Sequence, residues 1–328
     1  MKHKAGPRLA IVNPVSLVGN EVKSILRQRS FPYEKLVLLD SAGKAAGTVT
    51  DVGDEPAIVA PISDLELEDA DLVFFCGPPS GNREWIEKHE ALEFIAVDLS
   101  QPTTADDGKL AIAGMNVQDL AGETLIVSPH PVTIPIALVL HQLQSLAPVK
   151  SCTATVVQPA SEFDQEGVEE LAQQTVAVLN IKSVPKEIFD RQLAFNLYPA
   201  LERHEEFIVR QIRSLVDPRL EVALFVTQGT IFHNHTFSLF VRMRDDIGIE
   251  RVEQSLRSNP ILAFPEGDQA FGTIDAAGRD EVLIAEIRAD PTIAGGFWVF
   301  AVCDNLRRSS ALNAVLIAEK LLFDVATN

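Results

Sequence analysis

Residues 9–19 have the sequence LAIVNPVSLVG, and this stretch decides the fold class. The first four residues are apolar throughout, and Asn13 and Pro14 then interrupt regular structure. Apolar residues recur at 18, 22, 25 and 26, which is the spacing of one helix face, so the stretch predicts a strand, a tight loop and a helix. A strand that is apolar on both faces is typical of a parallel sheet with helices packed on each side.

The same alternation continues through the first third of the chain, with further strand-like runs at 36–39, 57–60, 72–75 and 94–97. From about residue 150 the strands become longer and alternate in polarity. They lie at 152–158, 222–226, 236–243, 282–287 and 297–301, with helices near 166–180 and 205–216. We therefore predict an α/β chain with a Rossmann-type doubly wound N-terminal domain and an α+β C-terminal domain. The last helix has no strand after it, so we predict domains at 1–128 with 309–328 and at 129–308.

Composition limits the classes of partner. The chain has 328 residues, 46% of them hydrophobic, and a net charge of −18. That charge repels phosphate backbones and anionic lipids, so neither nucleic acid nor membrane is an expected partner. No run reaches the roughly 18 apolar residues needed to span a bilayer. The three cysteines are far apart and lie among apolar residues, which favours reduced thiols and a cytoplasmic protein.

The loop after the first strand is where a dinucleotide-binding protein carries a glycine-rich motif. Here Gly19 keeps the last glycine, whereas Asn13 and Ser16 stand where glycines or open backbone are usual, so the motif is weak. Asp40 ends the second strand, where an acid would bind a ribose 2′-OH and favour NAD over NADP. The alternative is that Asp40 only begins a turn, a role common for aspartate. NAD or NADP therefore remains a candidate cofactor.

Several segments together resemble the aspartate-semialdehyde dehydrogenase family, and the resemblance extends over nearly the whole chain. In chain order they are Val18-Gly19, Phe31-Pro32, residues 45–47, Val97-Asp98, Asn116, residues 194–196, residues 232–235 and, most specifically, residues 304–308 with 313–315. The resemblance implies an NADPH-dependent enzyme of amino-acid biosynthesis that reduces an aspartyl phosphate through a cysteine thioester. It also implies dimerisation through the second domain and a cofactor-side position for Asn305.

This sequence departs from the family where the family's chemistry is concentrated. The family's Asn-Cys-Ser-Thr-Ile stretch corresponds to residues 130–134 of this sequence. His130 and Pro131 therefore stand where the family has its asparagine and its nucleophilic cysteine, and no thioester can form there. Proline suits the first turn of a helix, which gives a structural reason for the change. The resemblance places Gln228 and Thr104 where the family has arginines that bind anions, and His235 where it has its base. This combination resembles the Usg-type branch, which lacks the active-site cysteine.

Other side chains offer alternatives of lower weight. His233 and His235 are two residues apart on a predicted strand, and with His130 they could bind zinc, although a satisfied strand pair is the favoured interpretation and we predict no metal. Hydroxyls at Ser128, Thr133 and Ser161 are more typical of helix caps than of nucleophiles. Cys76, Cys152 and Cys303 are interpreted as core residues.

Three functions stay open. The first is a dimeric scaffold or ligand-binding homologue without thioester activity, because nucleophile and anion-binding residues are lost together. The second is an NAD(P)-dependent oxidoreductase that acts on an aldehyde or oxo group without a cysteine, with His235 as the base of a hydrated carbonyl. The third is a protein that pairs with a paralogous dehydrogenase, although homodimerisation is the simpler expectation.

Overall fold

The computed structural model describes residues 6–53, 55–77, 81–101, 107–266 and 270–323. The chain divides into two compact units, of which the first comprises Met1–His130 with Ser310–Asn328 and the second comprises Pro131–Ser309. Each unit is built on its own sheet of seven strands.

The sheet of the first unit is parallel throughout. Its strands are β1 (Arg8–Val12), β2 (Lys35–Asp40), β5 (Ala60–Pro61), β6 (Leu72–Phe75), β7 (Ile95–Asp98), β8 (Lys109–Leu110) and β9 (Leu125–Val127), in the spatial order β5-β2-β1-β6-β7-β9-β8. The chain leaves β1 toward β2 on one side and later returns to β6 on the other. This reversal is the switch point at which open α/β sheets bind ligands.

Helices cover both faces of this sheet. They are α1 (Leu17–Gln28), α2 (Asp64–Glu68), α3 (Asn82–Ile86) and α8 (Leu312–Phe323). One core combines α1 and α8 with residues such as Leu9 and Phe74, while another combines Leu67 and Ile86 with Phe75. The apolar strands are thus buried on both sides, which confirms the predicted doubly wound domain.

The last helix, α8, packs against α1 in the first unit. Its residues from Leu312 to Ala318 are buried. Arg29, which follows α1, donates through Nε and Nη2 to the two carboxylate oxygens of Glu319, at 2.6 and 2.8 Å. The last part of the chain therefore belongs to the same unit as its N-terminal part.

The strand predicted at 57–60 is wrong as a single element. Residues Glu55–Ile58 form β4, which pairs with β3 (Val49–Val52) in a separate antiparallel hairpin. Only Ala60–Pro61 joins the parallel sheet, as a short edge strand beside β2. Pro61 cannot donate a ladder hydrogen bond, which restricts it to an edge. The hairpin is largely exposed, so its apolar residues do not mark a core strand.

The second unit has a mixed sheet, as predicted. Its strands are β10 (Val149–Gln158), β11 (Leu197–Pro199), β12 (Glu221–Gly229), β13 (His235–Met243), β14 (Leu262–Ala263), β15 (Val282–Ala289) and β16 (Gly296–Cys303), in the spatial order β11-β12-β10-β13-β16-β15-β14. The pairs β10–β12 and β14–β15 are parallel, and the others are antiparallel. Burial alternates along β13, so one face of the strand packs inward.

The helices of this unit are α4 (Thr133–Leu146), α5 (Asp164–Leu179), α6 (Glu205–Leu215) and α7 (Ile249–Arg257). Of these, α4 contacts β10, α6 and α7. The strand face that carries Phe225 and Trp298 leaves these side chains 47% and 36% exposed. Across the described part of the chain, none of the helices has the length and apolar character required to cross a bilayer.

Candidate functional site

The loop at the switch point of the first unit is organised by Asn13. This residue follows β1 directly and has a left-handed backbone, with φ at 56°. Its Nδ2 lies 3.0 Å from the Cys76 carbonyl oxygen, 3.0 Å from Ser41 Oγ and 3.1 Å from Asn82 Oδ1. Ser41 N donates back to Asn13 Oδ1. One amide therefore ties together the segments that follow β1, β2 and β6.

Ser16 ends this loop, and Gly19 lies in the first turn of α1. The Ser16 hydroxyl donates to the Asn13 carbonyl oxygen at 2.8 Å and accepts from Gly19 N at 3.1 Å, which caps α1. A Cβ on Gly19 would lie 2.4 Å from the Asn13 carbonyl oxygen and 2.8 Å from Pro14 Cα, so only glycine fits. The structure thus brings Asn13, Ser16 and Gly19 together at the N-terminus of a helix, a favourable place for an anion.

Asp40 lies at the end of β2 and is buried. Its Oδ1 accepts from Ala42 N, and its Oδ2 accepts from Ala45 N and Ala46 N, at 2.7 to 3.0 Å. Three backbone donors therefore already contact this carboxylate. They give Asp40 a clear role in shaping the 41–46 turn, beside the predicted role toward a ribose.

In the second unit, His235 is the first residue of β13 and its side chain is 0% exposed. Nε2 lies 3.3 Å from Glu162 Oε1. The orientation of the two groups does not make this contact an aligned hydrogen bond, and within the described chain neither ring nitrogen has a hydrogen-bond partner. Burial lowers the pKa of His235 to about 3. The imidazole is therefore neutral at physiological pH.

Glu162 is a site residue that the sequence did not single out. It lies in the 3-10 turn Ala160–Phe163 that follows β10. Asn305 Nδ2 donates to Glu162 Oε1 at 3.1 Å, and Asn305 Oδ1 accepts from Asn234 N at 2.9 Å. Burial raises the pKa of Glu162 to about 7, although the hydrogen bond from Asn305 opposes the shift. An acid that follows a strand end is too common a feature to indicate a site from the sequence alone.

Gln228, predicted to stand at an arginine position, is paired with a second glutamine. Gln158 Nε2 donates to Gln228 Oε1 at 2.8 Å, and Gln228 Nε2 donates to the Gln158 carbonyl oxygen at 3.2 Å. Both side chains are buried. The pair offers neutral amides and no cation at this place. Gln158 was not identified from the sequence, because an amide at the end of a strand with alternating polarity has no distinguishing pattern.

Pro131 lies two residues before α4, which begins at Thr133, and so it does not occupy the helix's first turn as predicted. The residue before it, His130, is buried at the end of the first unit. The Thr133 hydroxyl donates to Gln211 Oε1 at 2.8 Å, which gives it a structural role. Thr104, the other predicted arginine position, lies outside the described residues.

All three thiols of the chain are buried. Burial raises the pKa of Cys152 and of Cys303 to about 12 in each case. Cys303 lies opposite His235 on β16, and its Sγ is 3.1 Å from Ser309 Oγ. Cys76 follows β6 and is 0% exposed. These positions agree with the interpretation of the cysteines as core residues.

The histidine pair predicted to share a strand face does not form one. Strand β13 begins at His235, and His233 lies before it, separated by Asn234 with φ at 76°. A residue with left-handed backbone breaks the two-residue alternation of a strand. In the residues that the structure describes, no group of three or more His, Cys, Asp or Glu side chains could hold a metal ion.

Comparison with known proteins shows similarity across both units. Residues 8–144 match the model of the semialdehyde dehydrogenase NAD binding domain, and residues 140–308 match that of the semialdehyde dehydrogenase dimerisation domain. A USG-1 protein homolog of Azotobacter vinelandii is 30% identical over 330 residues, which cover 96% of this chain and 97% of that protein. The aspartate-semialdehyde dehydrogenase of Aquifex aeolicus is 27% identical over 334 residues, covering 97% and 98%. The structure of a probable aspartate-semialdehyde dehydrogenase from Pseudomonas aeruginosa matches with a TM-score of 0.92 at 26% identity, covering 97% of this chain and 99% of that one.

Proposed function

Because the chain belongs to the semialdehyde dehydrogenase family, we propose that it is a dimeric scaffold or ligand-binding member that does not reduce its ligand through a cysteine thioester. Thioester formation needs a thiolate that a substrate can reach. Residue 131 offers a proline, and the chain's three thiols are all buried. The burial of every thiol is the observation that carries this proposal.

The neutral Gln158–Gln228 pair supports the same conclusion. The family resemblance places an arginine at residue 228, and an arginine fork binds carboxylates with two parallel charged hydrogen bonds. Two amides that are hydrogen-bonded to each other supply no positive charge. The nucleophile and a charged anchor for an anionic substrate are therefore both absent from these positions.

A direct assay tests this proposal. Purified protein is incubated with aspartate-semialdehyde, inorganic phosphate and NADP, and reduction of the nucleotide is followed by absorbance. The expected result is no turnover above a protein-free blank. A reaction that iodoacetamide abolishes would demonstrate an accessible catalytic thiol and overturn the proposal. An active family dehydrogenase assayed beside it controls for the reagents.

The ligand we propose for the first unit is a nicotinamide dinucleotide. The match to an NAD binding domain and the Asn13–Gly19 loop at the helix N-terminus support this assignment. Isothermal titration with NAD and then NADP measures it, and Asp40 leads us to expect tighter binding of NAD. A ligand at one hundred times its dissociation constant raises the free energy of unfolding by about 2.7 kcal/mol, so thermal shifts provide a second readout. If neither the titrations nor the thermal shifts show binding, the protein is a scaffold whose ligand is not a dinucleotide.

The alternative is an NAD(P)-dependent oxidoreductase that acts on a hydrated aldehyde or oxo group without a cysteine. The retained His235 and the acid beside it favour this alternative. However, His235 is 0% exposed, so a ligand in solution does not reach the imidazole in this structure. Nucleotide reduction by simple aldehydes, insensitive to iodoacetamide, would establish this reaction in place of the scaffold.

We propose that the second unit forms a homodimer. The match to a dimerisation domain supports this, and the exposed Phe225 and Trp298 provide apolar surface on a strand face. Sedimentation equilibrium of the purified chain should give twice its monomer mass. A monomer that assembles only when a paralogous dehydrogenase is added would instead favour the heteromeric alternative.

A further inference from the structure

Glu162 and His235 differ in their access to solvent although they are in contact. The side chain of Glu162 is 17% exposed, whereas that of His235 is 0% exposed. We propose that Glu162 is the solvent-facing acid–base group of this site, with His235 as its buried partner. The proton-exchanging role that the family resemblance assigns to the histidine is thus taken over by a carboxyl group on a different element.

Three hydrogen bonds to two neighbouring segments fix the position of Glu162. Its turn is held to the segment before β13 by hydrogen bonds from Ala160 N to the Ile231 carbonyl oxygen and from Ser161 N to that of Phe232, at 2.7 and 3.0 Å. Asn305 holds the carboxyl group itself and also the backbone of Asn234, next to His235. The Glu162–His235 contact is therefore built into the unit by groups on both sides of it.

Other titratable and charged groups lie on the elements around the pair: Glu202, His233, Cys303, Asp304 and Arg308. Glu202 acts on Glu162 in the same direction as burial, since a second negative charge disfavours ionisation. The carboxylate of Asp304 accepts from Gly278 N, Leu306 N and Arg307 N. The thiol of Cys303 stays protonated because burial raises its pKa to about 12.

A carboxyl group with a pKa near neutrality can work in both directions. When protonated it donates a hydrogen bond to a carbonyl oxygen, and when ionised it accepts one from a hydroxyl group. The chemistry of the site therefore suits an oxo or hydroxyl group on a small ligand. This inference goes beyond the proposed function, because it concerns the protein alone and requires no nucleotide.

Carbon-13 NMR of the Glu162 carboxyl group and nitrogen-15 NMR of the His235 ring, both on the intact protein, test the proposal. The Glu162 carboxyl resonance should titrate with a midpoint near 7, and the His235 ring nitrogens should shift with the same midpoint. A neutral, soluble paramagnetic agent should broaden the Glu162 resonance far more than that of His235. A Glu162 midpoint near the ordinary 4.5, or His235 shifts unrelated to it, would overturn the pairing. Broadening of His235 first would overturn the assignment of the solvent-facing role.

Two matched variants extend the measurement. Glu162→Gln should remove the change in the His235 ring-nitrogen chemical shifts near pH 7. Glu166→Gln, at an exposed position on α5, should leave that change as it is in the wild type. Persistence of the shift in Glu162→Gln would assign it to another group and contradict the proposal. If Glu162→Gln does not fold, the wild-type titration still decides between the outcomes. The nucleotide titrations are independent of this result, so failure of one proposal is distinguishable from failure of the other.

Discussion

Gln158 Nε2 donates a hydrogen bond to Gln228 Oε1 at 2.8 Å, across the directly paired residues of β10 and β12. Both side chains are buried, so each amide replaces the water that the other would otherwise need. The family resemblance would place a cation on β12 at this point. A neutral pair that satisfies itself can remain in the interior without a bound anion.

This relationship predicts the effect of removing one partner. Gln228→Ala leaves Gln158 Nε2 without its acceptor and creates a cavity, so we expect a loss of about 2–4 kcal/mol in the free energy of unfolding. Gln254→Ala, at an exposed position on α7, is the control and should change stability by less than about 0.5 kcal/mol. Urea denaturation of both variants measures the difference, and equal stabilities would show that the buried pair contributes nothing.

A second prediction concerns the close packing of α1 against its preceding loop. In Gly19→Ala the new methyl group would lie 2.4 Å from the Asn13 carbonyl oxygen, so backbone must move. We expect a cost of about 1–3 kcal/mol and weaker binding of any ligand held at this helix N-terminus. At Gly272 the nearest atom to an added Cβ is 3.8 Å away, which makes Gly272→Ala a suitable control. Equal unfolding temperatures for Gly19→Ala and Gly272→Ala would contradict the steric argument.

The fold could be predicted where burial leaves a pattern in the sequence. Strands such as Leu72–Phe75 are apolar at every position because helices cover both faces, and β13 alternates because one face packs inward. The hairpin of β3 and β4 has no such pattern, since most of its residues are exposed. The strand predicted at 57–60 therefore combines two residues of this hairpin with the start of the edge strand of the parallel sheet.

The candidate site divides in the same way. Asn13, Ser16 and Gly19 could be found because they lie close together in the sequence at a recognisable place, in the loop and first helical turn that follow the first strand. Glu162 could not be found, because its significance depends on a contact with His235, 73 positions further along the chain. A single acid in a turn carries no periodic signal, and only the folded chain places it beside the imidazole.

A third prediction separates the two interpretations of Asp40. If its main role is in the 41–46 turn, Asp40→Ala should lower the free energy of unfolding by about 1.5–3 kcal/mol, because three backbone N–H groups, of which that of Ala45 is buried, lose a charged acceptor. Its ratio of affinities for NAD and NADP would then change little. If Asp40 contacts a ribose, the same variant should gain affinity for NADP relative to NAD. Isothermal titration with both nucleotides, beside a denaturation curve, distinguishes these outcomes.

The last prediction follows from the raised pKa of Glu162. The pKa of Glu162 is about 7 in the folded protein, whereas an ordinary glutamate has a pKa of 4.5. The folded state therefore binds the proton more tightly than the unfolded state does. The stabilisation from this proton is fully present below pH 4.5 and is lost as the pH rises through 7. Buried His235 acts in the opposite sense, because its pKa falls from 6.5 to about 3 and stability is lost as the pH falls through that range.

Comparing Glu162→Gln with wild type at each pH cancels the histidine contribution. The variant has no proton to lose, so its stability relative to wild type should improve between pH 4.5 and 8 by up to roughly 3 kcal/mol, at about 1.4 kcal/mol per pKa unit. Glu166 is exposed, so the difference in free energy of unfolding between Glu166→Gln and wild type should not vary with pH over the same range. Urea midpoints measured across this range supply the comparison. A difference between Glu162→Gln and wild type that does not vary with pH would mean that Glu162 titrates like an ordinary surface acid.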